Sequence, residues 1–219
     1  MEYGSVLLMK EFVTHDVLRF VLARPEGLTF EPGQGVNLAI DEDGWRDLRR
    51  PFTPTSTDAD GVVEFIIKIY PEHEGMTRRL ARLEPGAGLL ISGERGHIRY
   101  KGPGVFIAGG SGITPFLAIL RDLRANGSLD GQGLIFANKR PRDVICEKEL
   151  RDGFGERAVF VVEEEAGPGY QAGRVDSDLL RRHVGDFDQN FYVCGPKPFN
   201  RAVGDALREF GADPEALVF

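Results

Sequence analysis

The chain has 219 residues, 42% hydrophobic and 28% charged, with 28 Gly and 13 Pro, the composition of a turn-rich globular protein rather than a disordered one. Its 27 Lys and Arg against 34 Asp and Glu give a formal net charge of -7, which argues against nucleic-acid or anionic-membrane binding driven by overall charge. Cys146 and Cys194 are the only cysteines, too few to hold an iron–sulfur cluster through four thiolates and badly spaced for a zinc clip.

A chain of this length suits two domains of roughly 100 to 150 residues better than one core. The opening run MEYGSVLLMKEF is too short in apolar residues for a signal peptide, and no later stretch reaches the roughly 20 apolar residues a bilayer needs. The expected location is cytoplasmic, with neither membrane nor nucleic acid as a partner.

Residues 1–100 read as β. SVLLMKEFV, VLRFVLARP, GVNLAI and GVVEFIIKIY are short apolar or alternating runs separated by Gly, Pro and Asp, which predicts a small antiparallel barrel. Between them lies RRPFTPTS, Arg49 to Ser56, whose two prolines exclude a central strand and leave a strand edge presenting Arg, Phe and Thr. EGMTRRLARL predicts one short helix over Glu74 to Leu83, with Met76, Leu80 and Leu83 at helical spacing behind Gly75.

After KGPG the period changes, placing a second domain at residues 101–219. GVFIAGG, ITPFLAILRDLRANG, GLIFAN, RAVFVVEE, SDLLRRHV, NFYVCG and PFNRAVGDALREFG alternate strand and helix, as a parallel sheet with crossover helices requires. GGSGITP, Gly109 to Pro115, joins the first strand to the first helix, where glycines admit a ligand to the backbone and a helix N-terminus suits a pyrophosphate. It is not the G-x-G-x-x-G fingerprint, and an ordinary structural turn is the other reading. FYVCGPKPF repeats the strand-to-turn pattern. Cys194 therefore either faces the crevice at the carboxyl ends of the strands or is a buried strand cysteine.

RRPFT at a strand end, GMT at a helix start, GGSGITP and CGP, in this order, make the chain resemble the ferredoxin–NADP reductase superfamily over nearly its whole length. The resemblance implies a flavin-binding barrel followed by an NAD(P)-binding α/β domain. The family's R-x-Y-S motif is matched by Arg50, Pro51, Phe52 and Thr53. Arg50 would pair with the flavin pyrophosphate, Phe52 would stack on the isoalloxazine, and Thr53 would bring its hydroxyl near flavin N5. Phe52 stands where tyrosine is usual, keeping the stack and losing a hydroxyl. Gly75, Met76 and Thr77 match the second phosphate-binding element, although an ordinary first turn would look the same. Ile67, Lys68 and Tyr70 lie in the region that holds the ribityl and adenine parts. The intact GMT element favours FAD over FMN.

By the same resemblance Gly110, Gly112, Ile113, Thr114 and Pro115, then Asn138, Lys139 and Arg140, then Cys194, Gly195 and Pro196, would hold the nicotinamide nucleotide. Thr53, Thr114 and Cys194 are the expected ring-positioning residues. Lys139 and Arg140 lean the donor towards NADPH, because two cations suit a 2′-phosphate, while a solvated basic turn is the other reading. Phe219 would either cover the flavin or close a last strand. Plant-type members carry a glutamate where this chain has Leu217. The expected activity is hydride transfer between NAD(P)H and flavin, with electrons passed to a ferredoxin- or flavodoxin-like carrier. The alternatives are an NADH-linked reductase of a cytochrome or oxygenase component, or a flavin-holding subunit of a larger complex. Arg46, Arg49, Arg50, Arg78, Arg79 and Arg82 are expected either to form a basic rim for an acidic carrier or to solvate a helix face.

Overall fold

The computed structural model describes residues 1–217, with backbone alone for Glu94, Arg95, His97 and Glu215–Leu217. The expected role of Phe219 lies outside the described residues. The chain divides into two compact units, Met1–Arg99 with Thr114–Asp122, and Tyr100–Ile113 with the chain from Leu123 onward.

In the first unit, β1 (Glu2–Thr14), β2 (Val17–Ala23), β3 (Gln34–Ile40), β4 (Arg50–Phe52), β5 (Val62–Lys68) and β6 (Gly88–His97) form one antiparallel sheet in the order β4-β3-β6-β1-β2-β5. Alternation drives the packing. Leu18, Phe20 and Leu22 of β2 point inward to join Leu7, Leu38, Phe65 and Ile67, all nearly inaccessible to water. The two edges meet where Thr55, just past β4, donates its N–H to Glu64 O of β5 at 2.8 Å, so the sheet curls towards the expected barrel.

The predicted helix is shorter than its periodicity implied: α1 spans only Met76–Leu80. Gly75 supplies no side-chain cap at its start, and Lys10 Nζ ends it by donating to the carbonyls of Ala81 and Leu83. Leu83 still packs into the core from beyond the helix.

The remaining elements are β7 (Gly104–Gly109), α2 (Thr114–Ala125), β8 (Gly133–Asn138), α3 (Glu147–Phe154), β9 (Ala158–Val162), β10 (Gln171–Ala172), α4 (Ser177–His183), β11 (Asn190–Cys194), α5 (Lys197–Glu209) and β12 (Glu215–Leu217). Their strands form a wholly parallel sheet in the order β10-β9-β8-β7-β11-β12. The chain leaves β7 for β8 on one side and returns to β11 on the other, so the order reverses between β7 and β11. In open α/β sheets such a switch point opens a crevice at the strands' carboxyl ends. Residues Thr114–Asp122 of α2 group with the first unit, and Phe116 through Leu120 are all buried.

An aromatic stack organises the start of the second unit. Phe106 lies 4.6 Å from Tyr192, which lies 5.9 Å from Tyr100. The Tyr192 hydroxyl donates to Gly102 O at 2.8 Å and accepts the Lys101 N–H at 2.9 Å, fixing the segment before β7 to β11.

Candidate cofactor site

On the barrel, β4 is a three-residue edge strand, as its prolines dictate. Arg50 is exposed, and its guanidinium donates to Arg49 O at 3.0 Å. It makes no ion pair among the described residues and can turn to an anion. Pro51 is exposed, while Phe52 is half-buried against the barrel core. Thr53 is 5% exposed, yet its Oγ1 has no hydrogen-bond partner among the described residues. Such an orphan costs about 1–3 kcal/mol, which a bound group offering a matching polar atom removes.

Helix α1 is tied to the segment before β4 by Arg79, whose Nε donates to Glu42 at 3.0 Å. A Cβ on Gly75 would meet nothing within 4 Å, so the backbone at the start of α1 is open to a ligand. Met76 is a core residue and Thr77 is half-buried. Ile67 is buried in the barrel cluster, leaving only its backbone for a cofactor. Lys68 pairs with Asp16 at 2.8 Å; burial raises the Asp16 pKa, but the Lys68 ammonium outweighs it and holds the carboxyl below its ordinary value. Tyr70 is a largely exposed ring 6.1 Å from that of His73.

In the second unit, the turn after β7 and the turn after β11 meet backbone to backbone. A Cβ on Gly112 would stand 2.2 Å from Cys194 O and 2.8 Å from Gly195 Cα, so only glycine lets the two turns approach this closely. Gly110 needs glycine for another reason: its φ is +54° and its surroundings are open. Phe199 seals the back of both turns, since a Cβ on Gly109 or Gly195 would strike its ring at 3.0 or 2.5 Å. Nothing in the sequence reading singled Phe199 out. Ile113 and Pro115 are buried where α2 begins, and Thr114 is half-buried. Cys194 is fully buried, and burial pushes its thiol up to about 12, so it is a neutral SH group rather than a thiolate. Pro196 opens α5.

Asn138 ends β8. It is 7% exposed, and neither its amide oxygen nor its amide nitrogen has a partner among the described residues. One orphaned hydroxyl and one wholly orphaned amide, with open backbone at Gly75 and Gly110, fit a large polar ligand in each unit better than they fit a self-contained core.

Two expectations need correction. Lys139 and Arg140 are not free cations for a 2′-phosphate. Arg140 reaches Glu164 at 2.6 Å and Glu165 at 3.2 Å, and Lys139 reaches Glu164 at 3.4 Å. The Arg140 hydrogen bond holds the Glu164 carboxyl below its usual range, so the turn is neutralised and the argument for NADPH is lost. The basic rim is likewise largely paired: Arg46 with Asp41 and Asp43, Arg49 with Glu2, Arg78 with Glu74, and Arg79 with Glu42. Only Arg50 and Arg82 of that set lack an ion pair among the described residues.

No helix among the described residues is long and apolar enough to cross a membrane, and none of their acidic, His and Cys side chains cluster as a metal site.

Residues 5–100 match the oxidoreductase FAD-binding domain and residues 106–205 the oxidoreductase NAD-binding domain. NADH-cytochrome b5 reductase 1 of Ajellomyces capsulatus is 33% identical over 95% of this chain and 74% of its own length. The cytochrome b5 reductase domain of Ulva prolifera nitrate reductase superposes with a TM-score of 0.83 at 23% identity, covering 99% of this chain and 97% of that one. A ferredoxin NADP+ reductase from Neisseria gonorrhoeae superposes with a TM-score of 0.84 at 20% identity, covering 98% of each chain. The chain belongs to the ferredoxin–NADP reductase superfamily of flavin oxidoreductases and is a flavoenzyme reductase with an FAD-binding and an NAD-binding domain.

Proposed function

We propose that the protein oxidises NADH, holds FAD in its barrel, and passes the electrons to a small haem carrier of the cytochrome b5 kind. FAD, when bound, supplies the hydride acceptor and the means of releasing electrons one at a time. The chain's own residues bind and orient. Arg50 offers a charge-assisted fork to the FAD pyrophosphate, Phe52 an aromatic face, and Thr53 a buried hydroxyl to the ring edge. Gly75–Thr77 offer open backbone to the same phosphates. In the second unit Gly110 leaves open backbone for the nucleotide, Gly112 lets the two turns close on each other, Asn138 offers both ends of its amide, and Cys194 backs the turn as a buried neutral thiol.

The observation that carries this reading is the unpartnered Thr53 hydroxyl directly after Arg50-Pro51-Phe52. NADH is preferred because a 2′-phosphate would have to displace Glu164 from Arg140, whereas a ribose diol can hydrogen-bond to a carboxylate. The carrier is drawn from the relative whose name specifies cytochrome b5, and the paired rim gives no separate reason to favour a strongly acidic ferredoxin.

The deciding experiment is anaerobic stopped-flow reduction of the FAD-loaded chain by NADH and by NADPH, followed by mixing with cytochrome b5, a ferredoxin or a flavodoxin. Fast reduction by NADH and fast transfer to cytochrome b5 is the expected outcome. Preference for NADPH would overturn the donor, faster transfer to ferredoxin or flavodoxin would overturn the carrier, and failure to retain FAD would overturn the whole reading.

A further inference from the structure

Thr55 and Ser56, the end of the RRPFTPTS stretch, are 0% and 4% exposed although both are polar. Both are satisfied by a single residue of β5. Thr55 Oγ1 donates to Glu64 Oε1 at 2.7 Å, and Ser56 Oγ accepts the Glu64 N–H at 2.9 Å. The same Oε1 accepts from Arg121 of α2 at 2.7 Å, and Arg121 also donates to Thr55 O at 2.7 Å. Arg19 of β2 stands 3.3 Å from the other carboxylate oxygen. Glu64 and Arg121 are 15% and 22% exposed, so the pair is mostly withdrawn from water.

A buried ion pair is a poor way to gain stability, because desolvation offsets most of its attraction. It is a good way to fix geometry, because each guanidinium donor is directional. Phe116 through Leu120 of α2 are buried apolar residues, with Ile119 against Gly33 of the barrel, and apolar packing sets position less sharply than a fork of hydrogen bonds does.

We propose that Glu64 and Arg121 are positioning residues: one carboxylate locks the segment that carries Thr53 and the helix that begins at Thr114 into a single frame. Thr55 lies two residues after Thr53, and Arg121 lies two turns after Thr114. Any rotation of α2 in its apolar bed therefore has to break a bond to Glu64. The consequence for catalysis rests on the cofactor roles proposed above for Thr53 and Thr114; the locking of α2 does not.

The test compares Glu64→Gln, Arg121→Met, the double variant and the conservative Arg121→Lys, all as full FAD-loaded chains. FAD content, NADH affinity, single-turnover reduction at saturating NADH, and hydrogen exchange of the α2 amides are measured in each. Each single variant should reduce its flavin about 10- to 100-fold more slowly, as a shift near 1 Å would cause, with FAD content and NADH affinity unchanged. The double variant should be no slower than the worse single, because either single already breaks the Glu64–Arg121 bond on which the locking depends. The α2 amides should exchange faster, and Arg121→Lys should recover part of both losses. If Arg121→Met does not fold, Arg121→Lys decides, with an intermediate loss expected. Wild-type rates in the singles, multiplied losses in the double, or slowed reduction without faster α2 exchange would each overturn the proposal. If the wild type is not reduced by NADH, the cofactor reading fails, and exchange still decides whether the pair locks α2.

Discussion

Gly112→Ala is the sharpest single-atom probe of the crevice. The added methyl would lie 2.2 Å from Cys194 O and 2.5 Å from Cys194 C, more than 1 Å inside ordinary contact. Both neighbours are backbone, so no side chain can swing aside, and the ladder between β7 and β11, which pairs Ala108 with Cys194, has to open instead. Overpacking costs typically 1–3 kcal/mol, and a backbone clash of this depth belongs at the upper end, about 3 kcal/mol. For a chain of this size that lowers Tm by roughly 6–12 °C. Gly110→Ala is the control. Its Cβ meets nothing within 4 Å and only the φ of +54° resists it, at about 1 kcal/mol and roughly 2–4 °C. Melting is followed by circular dichroism with FAD in fixed excess, because bound ligand raises Tm by mass action. NADH affinity should fall with Gly112→Ala and hold with Gly110→Ala. If the two variants melt alike and both bind NADH normally, the close approach of the turns is not a rigid feature of the protein.

Thr53→Val removes a buried hydroxyl that has no partner, so the FAD-free protein should gain about 1 kcal/mol by urea denaturation while the FAD-loaded protein is reduced more slowly. A loss of stability without FAD would show that the hydroxyl is satisfied within the chain. Glu164→Gln weakens the pairing of Lys139 and Arg140 and should move the kcat/KM ratio several-fold towards NADPH; an unchanged ratio would detach this turn from donor choice. Because burial raises the Cys194 thiol from 9.0 to about 12, its contribution to stability is complete below pH 9 and is lost as pH climbs from 9 towards about 12. A thiol reagent at pH 8 should therefore modify Cys146 but spare Cys194 until the protein is unfolded, and rapid labelling of Cys194 in the native state would contradict its burial.

The change from period two to helix–strand alternation was legible because Leu18, Phe20 and Leu22 alternate as a half-buried strand must, whereas Phe106, Ile107 and Ala108 run on unbroken as one buried on both faces. Strand β6 was not legible. Gly88, Gly93 and Gly96 interrupt it, and Glu94 and Arg95 break its alternation, so it forms through pairing with β1 and β3 rather than local propensity. Helix α3, EKELRDGF, has only Leu150 and Phe154 buried, too few apolar residues to declare a period. At the site, Arg50 to Thr53 could be found because they are contiguous. Glu164 could not be matched to Arg140, since only the parallel pairing of β8 with β9, with Asn138 opposite Val162, brings them together. The partners of two rim arginines are hidden for the same reason, because Glu2 and Glu42 reach Arg49 and Arg79 across the fold, whereas Asp43 and Glu74 lie within four residues of Arg46 and Arg78.

The place of β7 between β8 and β11 also fixes a schedule for synthesis. β7 can pair with β8 soon after both leave the ribosome, but its other edge must wait for Asn190–Cys194, roughly 85 residues later. At about 5–20 residues per second, a wholly apolar strand keeps one row of amides and carbonyls open for roughly 4–17 s. Tyr192 arrives with that same strand, and its hydroxyl closes on Lys101 and Gly102 at the moment the gap is filled. Until then the nascent chain carries an edge that any passing β-strand can join, and a translational pause before residue 190 would lengthen that exposure directly.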